Sequence, residues 1–251
     1  MRHSIILKYA VCLYVLLAGA TTVDGQSTTR DSCLQVMKEM VDHYRATRYL
    51  SFDITYRYAA ESGPGAYLDS LHGRYRLNGN DYWYSLDSTE VVSYQGTCVL
   101  LFKEDHIMYL VPPNGRRKNV DFLVALDSLL LHLGGMEPVL REDGDIRTVL
   151  LTFGGRGIYK SIEYSIDRRT GYITRIRQVV KSDQLYDPSV RNRIEGEIPY
   201  AVIDMDFSNY RSGAFGDRQL DTAQYFKKEG QQYVSVAPYD EYKIFLGAPN
   251  L

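Results

Sequence analysis

Cysteine, tryptophan and net charge are all scarce in this chain, and each scarcity removes a class of function. There are 3 cysteines and 1 tryptophan in 251 residues, and the formal net charge is -2. With no Cys-x-x-Cys spacing, metal binding through sulfur has no support. Without a basic excess there is no electrostatic footprint for nucleic acid. The one run of cations, Arg116-Arg117-Lys118, sits in a polar connector after Pro112-Pro113; it either docks an acidic or anionic surface or is a solvated loop. Catalytic signatures are missing too. The chain holds no G-x-S-x-G elbow and no H-E-x-x-H pair. His72, His106 and His132 are far apart and read as surface or satisfied core residues. Gly154-Gly155-Arg156-Gly157 lacks the order of a phosphate-cradling loop and reads as a turn. Asp204 and Asp206 alternate along a strand, either as paired acids facing a sugar or as a solvated face. No enzyme, cofactor or metal is expected.

A long hydrophobic run is also lacking. Arg2, His3 and Lys8 precede an apolar stretch from Tyr9 to Ala20, shorter than the roughly 20 residues that span a bilayer. With Ala18-Gly19-Ala20 supplying small residues at its end, it reads as a secretory signal peptide, with residues 1–25 removed and a single domain over 26–251. Cys33 and Cys98 then remain in an oxidising compartment. They either pair as a disulfide or stay separate as buried thiols.

What the chain has in quantity is tyrosine, 22 copies against 8 phenylalanines, and β-type alternation. Most of these tyrosines are strand formers; others can line a surface that is apolar in body and polar at the tip. An opening helix is expected from Asp31, where Cys33, Leu34, Met37, Met40, Val41 and Tyr44 recur at helical spacing. Leu50 to Tyr58 alternates as a strand. From Leu71 to Val111 short strands are separated by Asn78-Gly79, Gln95-Gly96 and the Lys103–Asp105 turn, the pattern of an antiparallel meander. A second helix, apolar almost all round, is expected over 120–133, capped by Asn119 and stopped by Gly134-Gly135. Hairpins follow around Asp143-Gly144 and Gly171, then an excursion over 181–200, a strand from Ala201 to Phe207, and Tyr233–Val236 and Tyr242–Leu246 to finish the sheet.

A twisted antiparallel sheet of that many strands curls, and its concave side needs an apolar cover. The expected fold is therefore α+β, a curved antiparallel half-barrel covered by an N-terminal helix and a central helix. Where the helices leave concave space, an apolar pocket results. Its candidate lining on the early strands is Phe52, Ile54, Tyr56, Tyr75 and Tyr84. Leu126 and Leu130 of the central helix and Ile203 and Phe207 of the late strand complete it. Core packing is the alternative for each.

The helix DSCLQVMKEMVDHYR followed directly by the strand LSFDITYRY, the VSYQGTCVLLF and HIMYLV pair and the SIEYSIDRRTGYITRIRQV hairpin together resemble the outer-membrane lipoprotein carrier family of Gram-negative envelopes, the LolA and LolB type. The resemblance covers about residues 30 to 251 and lies in element order and hydrophobic pattern. It implies a periplasmic or secreted, monomeric carrier or sensor whose partners are the acyl chains of lipid or lipoprotein and an envelope membrane protein. It also implies a lid-holding role for a strand arginine, whose counterpart is Arg76, followed here by Leu77-Asn78. The other reading of the same residues is an exported interaction module with a filled core, acting through its loops and strand edges.

Overall fold

The computed structural model describes residues 27–111, 137–154, 157–182, 200–214 and 220–247. The expected signal peptide, the basic connector, the second helix with Leu126 and Leu130, His132 and most of the 181–200 excursion lie outside the described residues.

Helix α1 (Ser27–Ala46) opens the description. It begins at Ser27, one turn ahead of the start expected at Asp31; Ser27 to Arg30 are polar and carry no apolar spacing that would signal a helical turn in the sequence. Its apolar stripe, Cys33, Val36, Met37, Met40, Val41 and Tyr44, is fully buried, and it lies on one face of a curved sheet.

The early strands are β1 (Tyr49–Ala60), β2 (Tyr67–Asn78), β3 (Asp81–Leu86), β4 (Thr89–Tyr94), β5 (Thr97–Phe102) and β6 (Ile107–Val111). The late strands are β7 (Glu137–Asp143), β8 (Ile146–Thr152), β9 (Tyr159–Asp167), β10 (Ile173–Lys181) and β11 (Tyr200–Ser212). Each set is a meander of neighbours in sequence. The two meanders join where β1 pairs antiparallel with β11, and β14 (Lys243–Leu246) adds parallel to β6, giving an open 12-stranded sheet with β14 and β7 at its edges. The tight turns use left-handed backbone where the sequence supplies residues that tolerate it, as at Gly79 (φ 60°) and Gln95-Gly96 (φ 46° and 90°).

Alternation sorts the side chains. Even positions of β1 and odd positions of β2 face α1, and this inner face carries the larger core. The outer face of β4–β6 carries a second core of Val92, Val99, Leu101, Met108 and Leu110, covered by Tyr225, Tyr239 and Tyr242. Here the structure departs from expectation. The Tyr233–Val236 strand does not finish the main sheet; as β13 (Gln232–Ser235) it pairs with β12 (Phe226–Glu229) in a separate hairpin. That hairpin belongs to the C-terminal segment, which crosses to the outer face because its aromatics pack on the second core.

Candidate functional site

The inner face is built from one aromatic row after another. Phe52 of β1 stacks on Tyr75 of β2 with ring centroids 5.3 Å apart and planes 2° from parallel. Tyr75 in turn stacks on Tyr84 of β3 at 5.5 Å and 7°. Phe207 lies 5.9 Å from Phe52 on the other side. Register explains the row, since Phe52 pairs Tyr75 and Tyr75 pairs Tyr84, so three rings share one line across the strands. The structure thus places Phe52, Ile54, Tyr75, Ile203 and Phe207 in the inner core, with Tyr56 and Tyr84 half-buried against it.

Phe207 and Tyr210 both face inward although they are three residues apart. Ser208 pairs with Asp53 and Arg211 with Ser51, so between these two pairs β11 holds one residue more than β1. Asn209, at φ 55°, absorbs it and bonds Asp53 Oδ2 through its side-chain amide at 2.8 Å. The turned-in Tyr210 anchors the C-terminal end of α1. Its ring stacks on Tyr172 at 4.4 Å, its hydroxyl lies 2.6 Å from that of Tyr44, and it donates to the Ile173 carbonyl at 2.8 Å. Burial pushes the Tyr44 and Tyr210 hydroxyls well above the ordinary phenol range.

Burial falls off away from this anchor. Leu50, Phe52, Val149, Leu151, Ile166 and Ile173 are fully buried. Tyr84, Leu86, Leu100 and Tyr109, on the same face towards β6, are only half-buried. At the β14 edge Phe245, stacked 5.4 Å from Tyr109, is 45% exposed. Desolvation pushes the Tyr56 hydroxyl up to about 12. It also raises those of Tyr84 and Tyr164, Tyr84 further through the neighbouring Tyr56 and Cys98.

The outer face is the charged one. Asp204, at 0% side-chain exposure, is held by Arg177 (2.8 Å), Arg175 (2.8 Å) and the Tyr67 hydroxyl (3.0 Å). Asp206 pairs with Arg57. Neither paired acids facing a sugar nor a fully solvated face describes these carboxylates: they belong to an ion cluster across β1, β11 and β10 in which Asp204 is buried and Asp206 and the arginines are partly exposed. Arg175 and Arg177 share a face by alternation, which was the available signal. Arg76 faces outward too, its guanidinium 5.3 Å from the centre of the Trp83 ring. It stands on the side of the sheet opposite α1, because the inward positions of β2 belong to Tyr75 and Leu77. Cys33 lies buried in α1 and Cys98 half-buried on β5, with no disulfide between them. His72 lies 3.3 Å from Thr55 Oγ1 and His106 3.8 Å from Glu241, both near the surface. No group of metal-ligating side chains occurs among the described residues. No described helix is long and apolar enough to cross a membrane.

No family model matches the chain, and no curated protein matches it. Solved structures do. A LolA superfamily protein of Nitrosomonas europaea is 12% identical, with 78% of this chain and 99% of that chain covered and a TM-score of 0.31. The lipoprotein LppX of Mycobacterium tuberculosis is 9% identical, covering 74% and 98%, with a TM-score of 0.38. An uncharacterized conserved protein of Thermus thermophilus is 7% identical, covering 86% and 99%, with a TM-score of 0.46. The LolA superfamily named from element order is thus among the structures this chain is similar to.

Proposed function

We propose that the protein is an exported, non-enzymatic carrier or sensor that takes the acyl chains of a lipid or lipoprotein against the inner face of its half-barrel. The observation that carries this reading is the mismatch between the inner face and α1, the helix described over it. The face is apolar from β9 to β6, yet its side chains pass from fully buried beside α1 to half-buried at Tyr84, Leu100 and Tyr109. Burying acyl chains there contributes about 0.8 kcal/mol per methylene. Two chains of ordinary length would then hold firmly without any covalent chemistry. Leu126 and Leu130, outside the described residues, belong to the same reading as the part of the lining that the expected central helix would supply.

Native mass spectrometry of the protein purified from an envelope extract tests it. Co-purifying fatty-acyl mass, together with uptake of a fluorescent lipid, is the expected result. A clean apo mass with no uptake overturns the reading. A second reading draws on the edges of the open sheet. Val139 on β7 is 40% exposed and Leu246 on β14 is 66% exposed. Edge strands of that kind add strands from a partner, which is how an interaction module with a filled core would work.

A further inference from the structure

Arginines crowd one end of the outer face. Ser51 of β1 pairs with Arg76 of β2 on one side and with Arg211 of β11 on the other, so both arginines stand in one outward row. Arg74, in the next row, bonds Asp53 Oδ1 through its Nε at 3.0 Å. Tyr49 is the first outward position of β1, and the Arg48 guanidinium lies 5.2 Å from the centre of its ring. The Arg48 carbonyl accepts from the Gly79 amide at 2.8 Å, which ties this patch to the turn between β2 and β3.

The patch is short of counter-charge. Its outward positions are Tyr49, Ser51 and Asp53 on β1, Arg74, Arg76 and Asn78 on β2, and Ser208 and Arg211 on β11. Asp53 is the one carboxylate among them, and its two oxygens already accept from Arg74 and Asn209. Beyond these positions Asp206 pairs with Arg57, and Asp81 on β3 accepts from the Gln95 amide. Arg48 and Arg211, both exposed, form no ion pair with a described residue. Burial raises the Asp53 carboxyl, but the bonds from Asn209 and Arg74 and the charges of Arg74 and Arg211 bring it below the ordinary carboxylate range. Burial lowers the Arg76 guanidinium, and the like charge of Arg74 lowers it further. In a chain whose net charge is -2, this is a local concentration of positive charge.

The arrangement selects its partner. A planar guanidinium matches the oxygens of a phosphate. The arginines spread over three strands, roughly 10 Å, on an open face, which suits an array of headgroups better than one enclosed anion. Under two of them lie aromatic rings, Tyr49 beneath Arg48 and Trp83 beneath Arg76, the residue types that settle at a bilayer interface. Resting on the carrier reading above for its choice of a bilayer, we infer that Arg48, Arg74, Arg76 and Arg211 form a docking face for the phosphate headgroups of an anionic membrane surface. The inner face, on the other side of the sheet, stays clear to receive a chain.

The test is co-sedimentation of the full chain with vesicles of phosphatidylcholine alone and of phosphatidylcholine with phosphatidylglycerol in equal parts. Binding to the mixed vesicles only is expected, and it should fade as salt rises and screens the charges. Each arginine near an anionic surface is worth about fivefold in partitioning. Arg211→Ala should therefore lose about fivefold, and Arg48→Ala combined with it about twenty-five-fold. Uptake of a fluorescent lipid dispersed in solution should be unchanged in both, which also shows that the variants fold. Equal binding to the two kinds of vesicle, or binding that the paired substitution leaves intact, overturns the inference. So does failure to bind either kind while fluorescent-lipid uptake persists; capture of soluble polyglutamate by wild type and not by the pair would then assign the face to an acidic protein. Charge-dependent vesicle binding without fluorescent-lipid uptake removes the carrier and leaves this face standing.

Discussion

Among single residues, Glu90 shows most clearly how one buried charge ties distant parts of the chain. It accepts from Trp83 Nε1 at 2.8 Å and from the Tyr225 hydroxyl at 2.5 Å, and its other oxygen meets Lys103 Nζ at 2.7 Å. Burial alone would raise its carboxyl. The bonds from Lys103, Tyr225 and Trp83 outweigh that and hold it below the ordinary glutamate value of 4.5. A group depressed in the folded state contributes its full stability above the unfolded value and loses it as pH falls through the folded one. Glu90→Gln should therefore cost about 2 kcal/mol at neutral pH, with the gap from wild type closing below about pH 4. Urea melts of both proteins across that range would check it. Asp204→Asn should behave alike, since Arg177, Arg175 and Tyr67 hold that carboxyl low against its burial. A gap that persisted undiminished in acid would place the loss in packing instead of charge.

The decisive element is α1, and what matters is how firmly its C-terminal end is held. Tyr44 receives the Ile173 amide at 3.3 Å and meets the Tyr210 hydroxyl, so its phenol joins helix, β10 and β11 at one point. Tyr44→Phe removes those bonds and keeps the ring. A loss of about 1 to 2 kcal/mol is expected in chemical denaturation, with faster hydrogen exchange confined first to the last turns of α1. Gly171 supports the same junction. It sits at φ 71°, and a Cβ there would come within 3.0 Å of the His43 ring. Gly171→Ala should cost about 1 kcal/mol or more through both strain and crowding, read as a lowered melting midpoint. If neither change loosens α1, its attachment rests on the apolar stripe alone.

At the scale of the molecule, the question is whether the inner face is completed by a ligand or by the chain itself. Leu100 lies half-buried on that face of β5, opposite Val91 and Tyr109. Leu100→Trp should cut fluorescent-lipid uptake severely while leaving the melting midpoint within a few degrees. Unchanged uptake would move the acyl site away from this half of the sheet. The edge reading has its own check. Leu246→Lys would blunt the exposed β14 edge, and a partner lost by that variant with lipid uptake intact would favour the interaction module.

Element order, the faces of the strands and most turns were legible from local spacing, because alternation and Asn-Gly-type turns act within a few residues. So were five of the inner aromatics and aliphatics, Phe52, Ile54, Tyr75, Ile203 and Phe207. What only the tertiary structure decided are relations across the chain. These are the β1–β11 seam, the ion cluster around Asp204, the bulge at Asn209 that turns Tyr210 onto α1, and the crossing of the C-terminal hairpin to the outer face. Each depends on side chains far apart in sequence meeting at one place, and no local periodicity encodes that meeting.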